Sequence, residues 1–209
     1  MVKVGMQIPS VRSKKPKQPL APEIEGVYQL HVSLAGSIPL IWRRFLVPAL
    51  FTLSGLHGVL QSVMGWEESH LYEFIIAGKH YGRSDWDDDP GFGPKLLDER
   101  RVKLISIVPQ AKISFRYIYD FGDDWVHDVK VEAILPPEPD GRYPVCLEGA
   151  NACPPEDSGG LYGYYEKLRI MNDPKDPEYE DIKEWMGRFD PLSFNLEAIN
   201  RSLRRYFKV

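Results

Sequence analysis

The sequence YDFGDDWVH occupies residues 119–127 and joins two segments in which apolar and polar residues alternate. Before it, apolar side chains recur at every second position from Ile113 to Tyr119, and after it the same period continues from Trp125 to Ala133. This is the period of a half-buried strand. The glycine and aspartates between the two segments are typical of a tight connection. The stretch therefore predicts a long β-hairpin over residues 112–135.

The register of this hairpin places His127 on the apolar face together with Trp125 and Val129. One interpretation is a core histidine whose ring nitrogens bind a backbone carbonyl or a nearby aspartate. The other is a metal ligand or general base oriented by a carboxylate, which makes the hairpin a candidate catalytic centre. The catalytic candidates are His127, Asp120, Asp123 and Asp157.

The rest of the chain predicts an α+β fold, because strands come first and helices come late. Alternation predicts strands over residues 27–34, 41–47 and 71–76, and a helix follows over residues 53–64, with Thr52 as its N-cap and Gly65 at its end. Three more helices are predicted over residues 161–171, 178–187 and 195–207, while residues 143–165 are expected to contain little regular structure. The predicted architecture is a mixed or antiparallel sheet with a long hairpin, one early helix packed on it, and a C-terminal group of three helices.

Length and composition predict a single α+β domain over residues 24–209, preceded by a flexible basic tail over residues 1–23. The 209 residues are 43% hydrophobic, which is enough for one sizeable core. The net charge of −4 argues against a generally basic surface, although residues 1–19 carry five cations and no acid. A second basic stripe comprises Arg201, Arg204, Arg205 and Lys208. We expect DNA binding to be weak or absent.

The sequence contains no apolar run of about 18 residues and no apolar stretch typical of a secretion signal. We therefore expect a cytoplasmic protein with no membrane contact. Its cysteines, Cys146 and Cys153, are expected to be reduced thiols unless they share a metal ion.

Several residues are candidate metal ligands: His57, His70, His127, Cys146 and Cys153. Six residues separate the cysteines, which differs from the spacing of ordinary zinc knuckles. Together with an imidazole they would form a mixed zinc site, and alternatively they are small buried apolar residues. Residues 84–94 include four aspartates, which fit either a calcium or magnesium loop or a solvated loop.

A second polar motif, CPPEDSGG, occupies residues 153–160. We expect it to form a polar binding site with the hairpin, and its candidate binding residues are Trp125, Glu156, Ser158, Gly159 and Gly160. Gly159 and Gly160 precede a helix and would cradle an anion through their amides, or would simply form a turn and helix start.

Four ordered motifs, covering about residues 25–207, resemble the plasmid pRiA4b ORF-3-like family. They are the helix from Leu53 to Trp66, the segment SHLYEF at residues 69–74, the hairpin turn and CPPEDSGG. The resemblance implies an association with plasmids and mobile elements, and some family members carry the label TnpR resolvase. Arg43 and Arg44 are adjacent on a predicted strand and project to opposite faces, so they do not form the arginine-rich site of a serine recombinase.

The motifs favour a binding or regulatory module associated with mobile DNA, whose partner is an unidentified protein or small ligand. The alternative is a metal-dependent hydrolase in which His127 and neighbouring carboxylates act on a bound substrate. The sequence contains no serine elbow, phosphate loop or dinucleotide-binding glycine motif that would favour another enzyme class.

Overall fold

The computed structural model describes residues 26–83 and 95–209. The predicted basic tail and the acidic loop over residues 84–94 lie outside the described residues.

The described residues form one eight-stranded mixed sheet. The strands are β1 (Val27–Leu34), β2 (Trp42–Pro48), β3 (Tyr72–Ile76), β4 (Lys79–Gly82), β5 (Leu97–Asp98), β6 (Ser114–Tyr119), β7 (Trp125–Leu135) and β8 (Val145–Ala150). They lie in the order β5-β4-β3-β6-β7-β1-β2-β8, and neighbouring strands are antiparallel except β4 and β5, which are parallel.

The predicted hairpin is confirmed and lies at the centre of this sheet. Strands β6 and β7 pair with Tyr119 opposite Trp125 and Tyr117 opposite His127. All four of these side chains are fully buried, as the period-2 pattern requires for one face of a sheet.

Helix α1 (Leu53–Met64) covers the buried face of the sheet, and its predicted limits are confirmed. The side chain of Thr52 accepts a hydrogen bond from the Gly55 amide at 3.1 Å, and Gly65 ends the helix with a left-handed φ of 97°. The helix buries its apolar stripe, which includes Leu53, Leu56 and Leu60.

The predicted C-terminal group of three helices is also confirmed. It consists of α3 (Gly160–Met171), α4 (Tyr179–Met186) and α5 (Leu196–Phe207), and a short helix α2 (Leu104–Ile107) lies earlier in the chain. Asn195 caps α5 by accepting a hydrogen bond from the Ala198 amide at 2.9 Å. With these helices and the mixed sheet, the fold class is α+β.

Strand β8 is a feature that sequence patterning missed. Residues 143–165 were expected to contain little regular structure, yet Val145–Ala150 pairs with β2 at the edge of the sheet. Local sequence does not predict this strand, because it is stabilised by tertiary contacts: pairing with β2 and hydrogen bonds to Asn200 of α5. The Asn200 side chain bonds both the amide and the carbonyl of Cys146, at 2.8 and 2.9 Å.

Within residues 26–83 and 95–209, none of the helices has the length and apolar character needed to cross a membrane.

Candidate functional site

The turn between β6 and β7 fixes the carboxylate of Asp120. Asp120 and Asp124 both adopt left-handed backbone conformations, with φ of 56° and 53°. One carboxylate oxygen of Asp120 accepts a hydrogen bond from the Gly122 amide at 2.9 Å, and the Asp124 amide bonds the Asp120 carbonyl at 2.7 Å. The Asp120 side chain is nine-tenths buried, and its second oxygen is directed toward His70.

The CPPEDSGG loop packs directly on this turn. The Gly159 amide donates to a carboxylate oxygen of Asp123 at 3.0 Å, and the indole N–H of Trp66 donates to the Pro154 carbonyl at 3.0 Å. Ser158 is fully buried and its hydroxyl donates to the Pro155 carbonyl at 2.6 Å. The two polar motifs therefore form one local structure.

His70 lies where the hairpin and the loop meet. Its Nε2 is 3.4 Å from Oδ1 of Asp157, 3.7 Å from Oδ2 of Asp120 and 3.7 Å from Oε2 of Glu156. The ligand atoms of His70, Asp120 and Asp157 all lie within 4.8 Å of one another. The distances from Nε2 of His70 exceed those of ordinary hydrogen bonds. Two ligand atoms that each lie about 2.1 Å from one shared ion are, however, roughly 3–4 Å from each other. We call His70, Asp120, Glu156 and Asp157 the His70 cluster.

Glu156 contributes an oxygen whose hydrogen bonding is incomplete. Its Oε1 accepts hydrogen bonds from the Tyr119 hydroxyl and from the Glu67 amide, both at 2.9 Å. Its Oε2 is buried and has no hydrogen-bond partner among the described residues. A buried acceptor left in this state costs about 1–3 kcal/mol, so its persistence calls for a donor or a cation.

The structure places His127 outside this cluster. His127 is fully buried, its Nδ1 is 3.2 Å from the Tyr117 carbonyl, and the edge of Trp66 covers it at 5.1 Å. Burial lowers the pKa of His127 to about 4, so the ring is neutral at neutral pH. Trp125 is fully buried as well, which removes its side chain from the surface where a ligand would bind.

His57 is likewise part of the core. Its Nδ1 is 2.8 Å from the Tyr117 hydroxyl, and its ring stacks on Tyr72 with centroids 3.5 Å apart. Burial lowers the pKa of His57 to about 3.

The two cysteines are free and buried, both interact electrostatically with Arg43, and neither belongs to the group formed by His70, Asp120 and Asp157. Burial raises the pKa of Cys146 to about 11 and that of Cys153 to about 12, and the Arg43 charge opposes this rise. Among the described side chains, the group of three or more possible ligands is His70, Asp120 and Asp157. The predicted combination of the two thiolates with His127 or His70 is therefore not assembled among the described residues.

The Gly159 amide already has a hydrogen-bond partner, and Gly160 lies close to the backbone of the hairpin turn. The amide of Gly159 binds Asp123, and Gly160 approaches the Asp123 backbone so closely that a Cβ at Gly160 would lie 2.6 Å from its carbonyl oxygen. This arrangement supports the turn-and-helix-start interpretation of Gly159 and Gly160, rather than the anion cradle.

Sequence reasoning missed the residues that support the cluster. Trp66 stacks on Tyr119 at 5.0 Å and also binds Pro154, while Tyr119 donates to Glu156. A signal for Trp66 was available, because Trp66 lies four residues before His70. The signal for Tyr119 was its place at the start of the hairpin turn.

We expect Gly160→Ala to destabilise the contact between the loop and the hairpin turn. Gly160 has φ of 66° and close backbone contact with Asp123, so alanine adds both left-handed strain and a clash. The matched control is Gly78→Ala, which has φ of 74° and nothing within 4 Å of the added Cβ.

Urea denaturation should show that Gly160→Ala lowers the free energy of unfolding by about 1–3 kcal/mol more than Gly78→Ala does. Equal losses in the two variants would contradict the close packing of loop and turn.

The fold and the His70 cluster define a class of protein: an α+β domain with a mixed sheet, whose central hairpin turn meets a proline- and glycine-rich loop at a histidine and three carboxylates. The chain belongs to the family described as Plasmid pRiA4b ORF-3-like protein, whose model matches residues 26–198.

Two relatives support this assignment. The uncharacterized protein y4hQ of Sinorhizobium fredii (strain NBRC 101917 / NGR234) is 39% identical over 185 residues, which cover 86% of this chain and 92% of that protein. The crystal structure of MM3350, a protein of unknown function from Methanosarcina mazei Go1, is similar with a TM-score of 0.71 and 38% identity. That similarity covers 82% of this chain and 96% of MM3350.

Proposed function

We propose that this chain is a metal-binding recognition module, in which the His70 cluster holds one divalent transition-metal ion between the hairpin turn and the CPPEDSGG loop. The observation that carries the proposal is the buried Oε2 of Glu156, which has no hydrogen-bond partner among the described residues and lies 3.7 Å from Nε2 of His70. The ligand atoms of Asp120 and Asp157 lie within 4.8 Å of one another and of His70, so Glu156 adjoins this group through the shared histidine.

The donor set suggests which ions bind. One imidazole and two carboxylate oxygens, with Glu156 beside them, suit Zn²⁺ or Mn²⁺, and thiolate-preferring ions are less suited because neither cysteine belongs to this group of ligand atoms. Asp157 has a side chain that is 76% exposed, so the ion would remain accessible from solvent on that side. An accessible ion is available to a protein partner or a small ligand, and such a module fits a regulatory role on a mobile element.

The alternative of a hydrolase that uses His127 as its base has less support. His127 is fully buried beneath Trp66, and its lowered pKa makes it a weak base. We therefore favour binding over catalysis.

We expect purified protein to contain about one equivalent of zinc or manganese by elemental analysis, and the metal-free protein to bind Zn²⁺ or Mn²⁺ in calorimetric titrations. His70→Ala should weaken binding by more than the roughly 10- to 100-fold that loss of an outer-shell partner costs. The matched control is His80→Ala, because His80 also pairs with a carboxylate, Glu73 at 2.7 Å, but lies outside the His70 cluster.

A second variant separates metal binding from folding. Asp157 is largely exposed, so Asp157→Asn should weaken the affinity for the ion while leaving the stability of the metal-free protein unchanged. Asp128→Asn is the control, since its side chain is also mostly exposed, at 61%. Absence of metal together with equal affinities in His70→Ala and His80→Ala would refute the proposal.

A further inference from the structure

A cavity of about 290 Å³ lies between helix α5 and the connection that leads from β7 into β8. Two segments of the chain, far apart in sequence, form its wall. The lining residues are Arg142, Pro144 and Val145 on one side, and Asn200, Arg204 and Val209 on the other. None of them belongs to the His70 cluster, so the cavity is separate from the proposed metal site.

The two arginines of this cavity are available to a ligand. Arg142 and Arg204 are both exposed, and within residues 26–83 and 95–209 neither guanidinium has an ion-pair or hydrogen-bond partner. Several other arginines of the structure have carboxylate partners, namely Arg44, Arg116, Arg169 and Arg201. The cavity therefore brings together two guanidinium groups whose charges no neighbouring carboxylate of the described chain offsets by pairing.

Asn200 fixes the side of the cavity that α5 forms. Its Oδ1 accepts a hydrogen bond from the Cys146 amide at 2.8 Å, and its Nδ2 donates to the Cys146 carbonyl at 2.9 Å. These two bonds attach α5 to β8. Arg204 lies one helical turn after Asn200 and so projects from the same side of the helix. The attachment therefore holds Arg204 beside the segment that carries Arg142.

The charge of the cavity wall favours a dianion. Each guanidinium carries one positive charge and a planar set of N–H donors that matches the oxygens of a carboxylate or a phosphate. A carboxylate brings one negative charge, whereas a phosphate monoester brings about −1.5 to −2 at neutral pH and three acceptor oxygens. The phosphate monoester therefore matches two guanidinium groups in both charge and number of acceptors.

The size and the apolar part of the wall limit the rest of the ligand. Pockets for drug-sized molecules measure roughly 300–1,000 Å³, so a cavity of about 290 Å³ suits a small molecule. Pro144 and Val145 add apolar atoms beside the arginines. A ligand that combines a phosphate with a small organic group would contact both parts of the wall.

We propose that this cavity binds a small phosphomonoester, whose phosphate accepts hydrogen bonds from Arg142 and Arg204 and whose organic group contacts Pro144 and Val145. The site goes beyond the proposed metal function and does not depend on it, because the two sites share no residue.

The first test is calorimetric titration of chelator-treated wild-type protein with phenyl phosphate, at low salt and about pH 8, where the phosphate is a dianion. Phenyl sulfate is titrated in parallel, since it has nearly the same shape and one negative charge. We expect phenyl phosphate to bind with millimolar or better affinity, and phenyl sulfate to bind roughly 10-fold more weakly because it makes weaker charge-assisted hydrogen bonds.

The matched variants are Arg142→Gln, Arg204→Gln and Arg205→Gln. The first two each remove one guanidinium from the cavity, and we expect each to lower the affinity for phenyl phosphate roughly 10- to 100-fold. Arg205 is the control, because it is exposed on the same helix but does not line the cavity. Its variant makes the same change in net charge and should bind like wild type. All three variants are expected to fold, because the replaced side chains are exposed.

Absence of phenyl phosphate binding would overturn the inference, as would equal affinity for phenyl sulfate or equal losses in Arg204→Gln and Arg205→Gln. A single-stranded oligonucleotide is titrated as well. Oligonucleotide binding that is tighter than phenyl phosphate binding, and that Arg205→Gln weakens as much as Arg204→Gln does, would replace the cavity with a nucleic-acid surface along α5.

His70→Ala distinguishes this site from the metal site. We expect this variant to bind phenyl phosphate like wild type, and such a result would support the cavity even if the protein binds no metal. Phenyl phosphate binding that requires His70 or an added metal ion would place the phosphate on the ion and would overturn the inference.

Discussion

Acidification from about pH 8 to about pH 5 is expected to lower the free energy of unfolding by about 4 kcal/mol through His57 and His127 alone. Burial lowers the pKa of His57 to about 3 and that of His127 to about 4, from an ordinary value of 6.5. The two imidazoles therefore become protonated near pH 6.5 in the unfolded chain, whereas in the folded chain they stay neutral until the pH is much lower. Each histidine should contribute about 2 kcal/mol of this loss at about pH 5.

Acidification is destabilising because folding lowers the pKa of both histidines. A base whose pKa is depressed by folding stabilises the protein above its unfolded pKa, and the stability falls as the pH drops from that value toward the folded pKa. Glu99 acts in the opposite sense, because its raised pKa favours the protonated folded state at low pH. A comparison of variants is therefore needed to isolate the histidines.

Chemical denaturation of chelator-treated protein at several pH values measures this effect. His127→Gln should lose about half of the pH dependence, whatever its absolute stability, because it removes one of the two buried imidazoles. His80→Gln is the control, since His80 is only partly buried and lies outside the core. A pH dependence of equal slope in His127→Gln and wild type would show that His127 is not responsible.

Arg43→Ala is expected to lower the free energy of unfolding by about 2–4 kcal/mol, whereas Arg44→Ala should change it by about 1 kcal/mol or less. Arg43 is 3% exposed, and its guanidinium donates to the carbonyls of Val63, Trp42 and Ala150 at 2.7–2.8 Å. Val63 lies in the last turn of α1, where carbonyls have no partner within the helix. Arg43 therefore joins the end of α1 to strands β2 and β8.

Arg44 is the matched control because it is the next residue on the same strand and faces the opposite side. It forms ion pairs with Glu132 and Glu148, and its own side chain is 27% exposed. Such ion pairs at the surface contribute little to the free energy of unfolding. Urea denaturation of both variants tests the difference, and Arg43→Lys should fail to restore stability because an ammonium group cannot reproduce the planar fork of a guanidinium. Equal losses in Arg43→Ala and Arg44→Ala would contradict this role.

Residue types alone predicted most members of the candidate site but not its centre. Sequence reasoning selected Asp120, Asp157 and His70 as candidates, but it centred the site on His127. Period-2 alternation correctly predicted that His127 faces the apolar side of the hairpin. It could not show that Trp66, 61 residues away in the chain, covers that histidine, because coverage depends on how α1 ends above the sheet.

Local sequence by itself determined the elements whose signals are local. The hairpin, the caps of α1 and the C-terminal helices follow from alternation, capping side chains and helical periodicity, which act over a few residues. It also determined that Arg43 and Arg44 face opposite sides of β2. These features can be predicted without knowing which distant segments the chain brings together.

Only the tertiary structure decided which polar residues meet. Tyr72 pairs with Tyr119, and the Asp120 amide bonds the Leu71 carbonyl, so β3 brings His70 beside the hairpin turn. The loop that carries Asp157 reaches the same place through its bonds to Trp66 and Asp123. Strand β8 likewise depends on β2 and Asn200. Pairings between segments this far apart in the chain leave no periodic trace in either segment, so they become apparent only when the chain is folded.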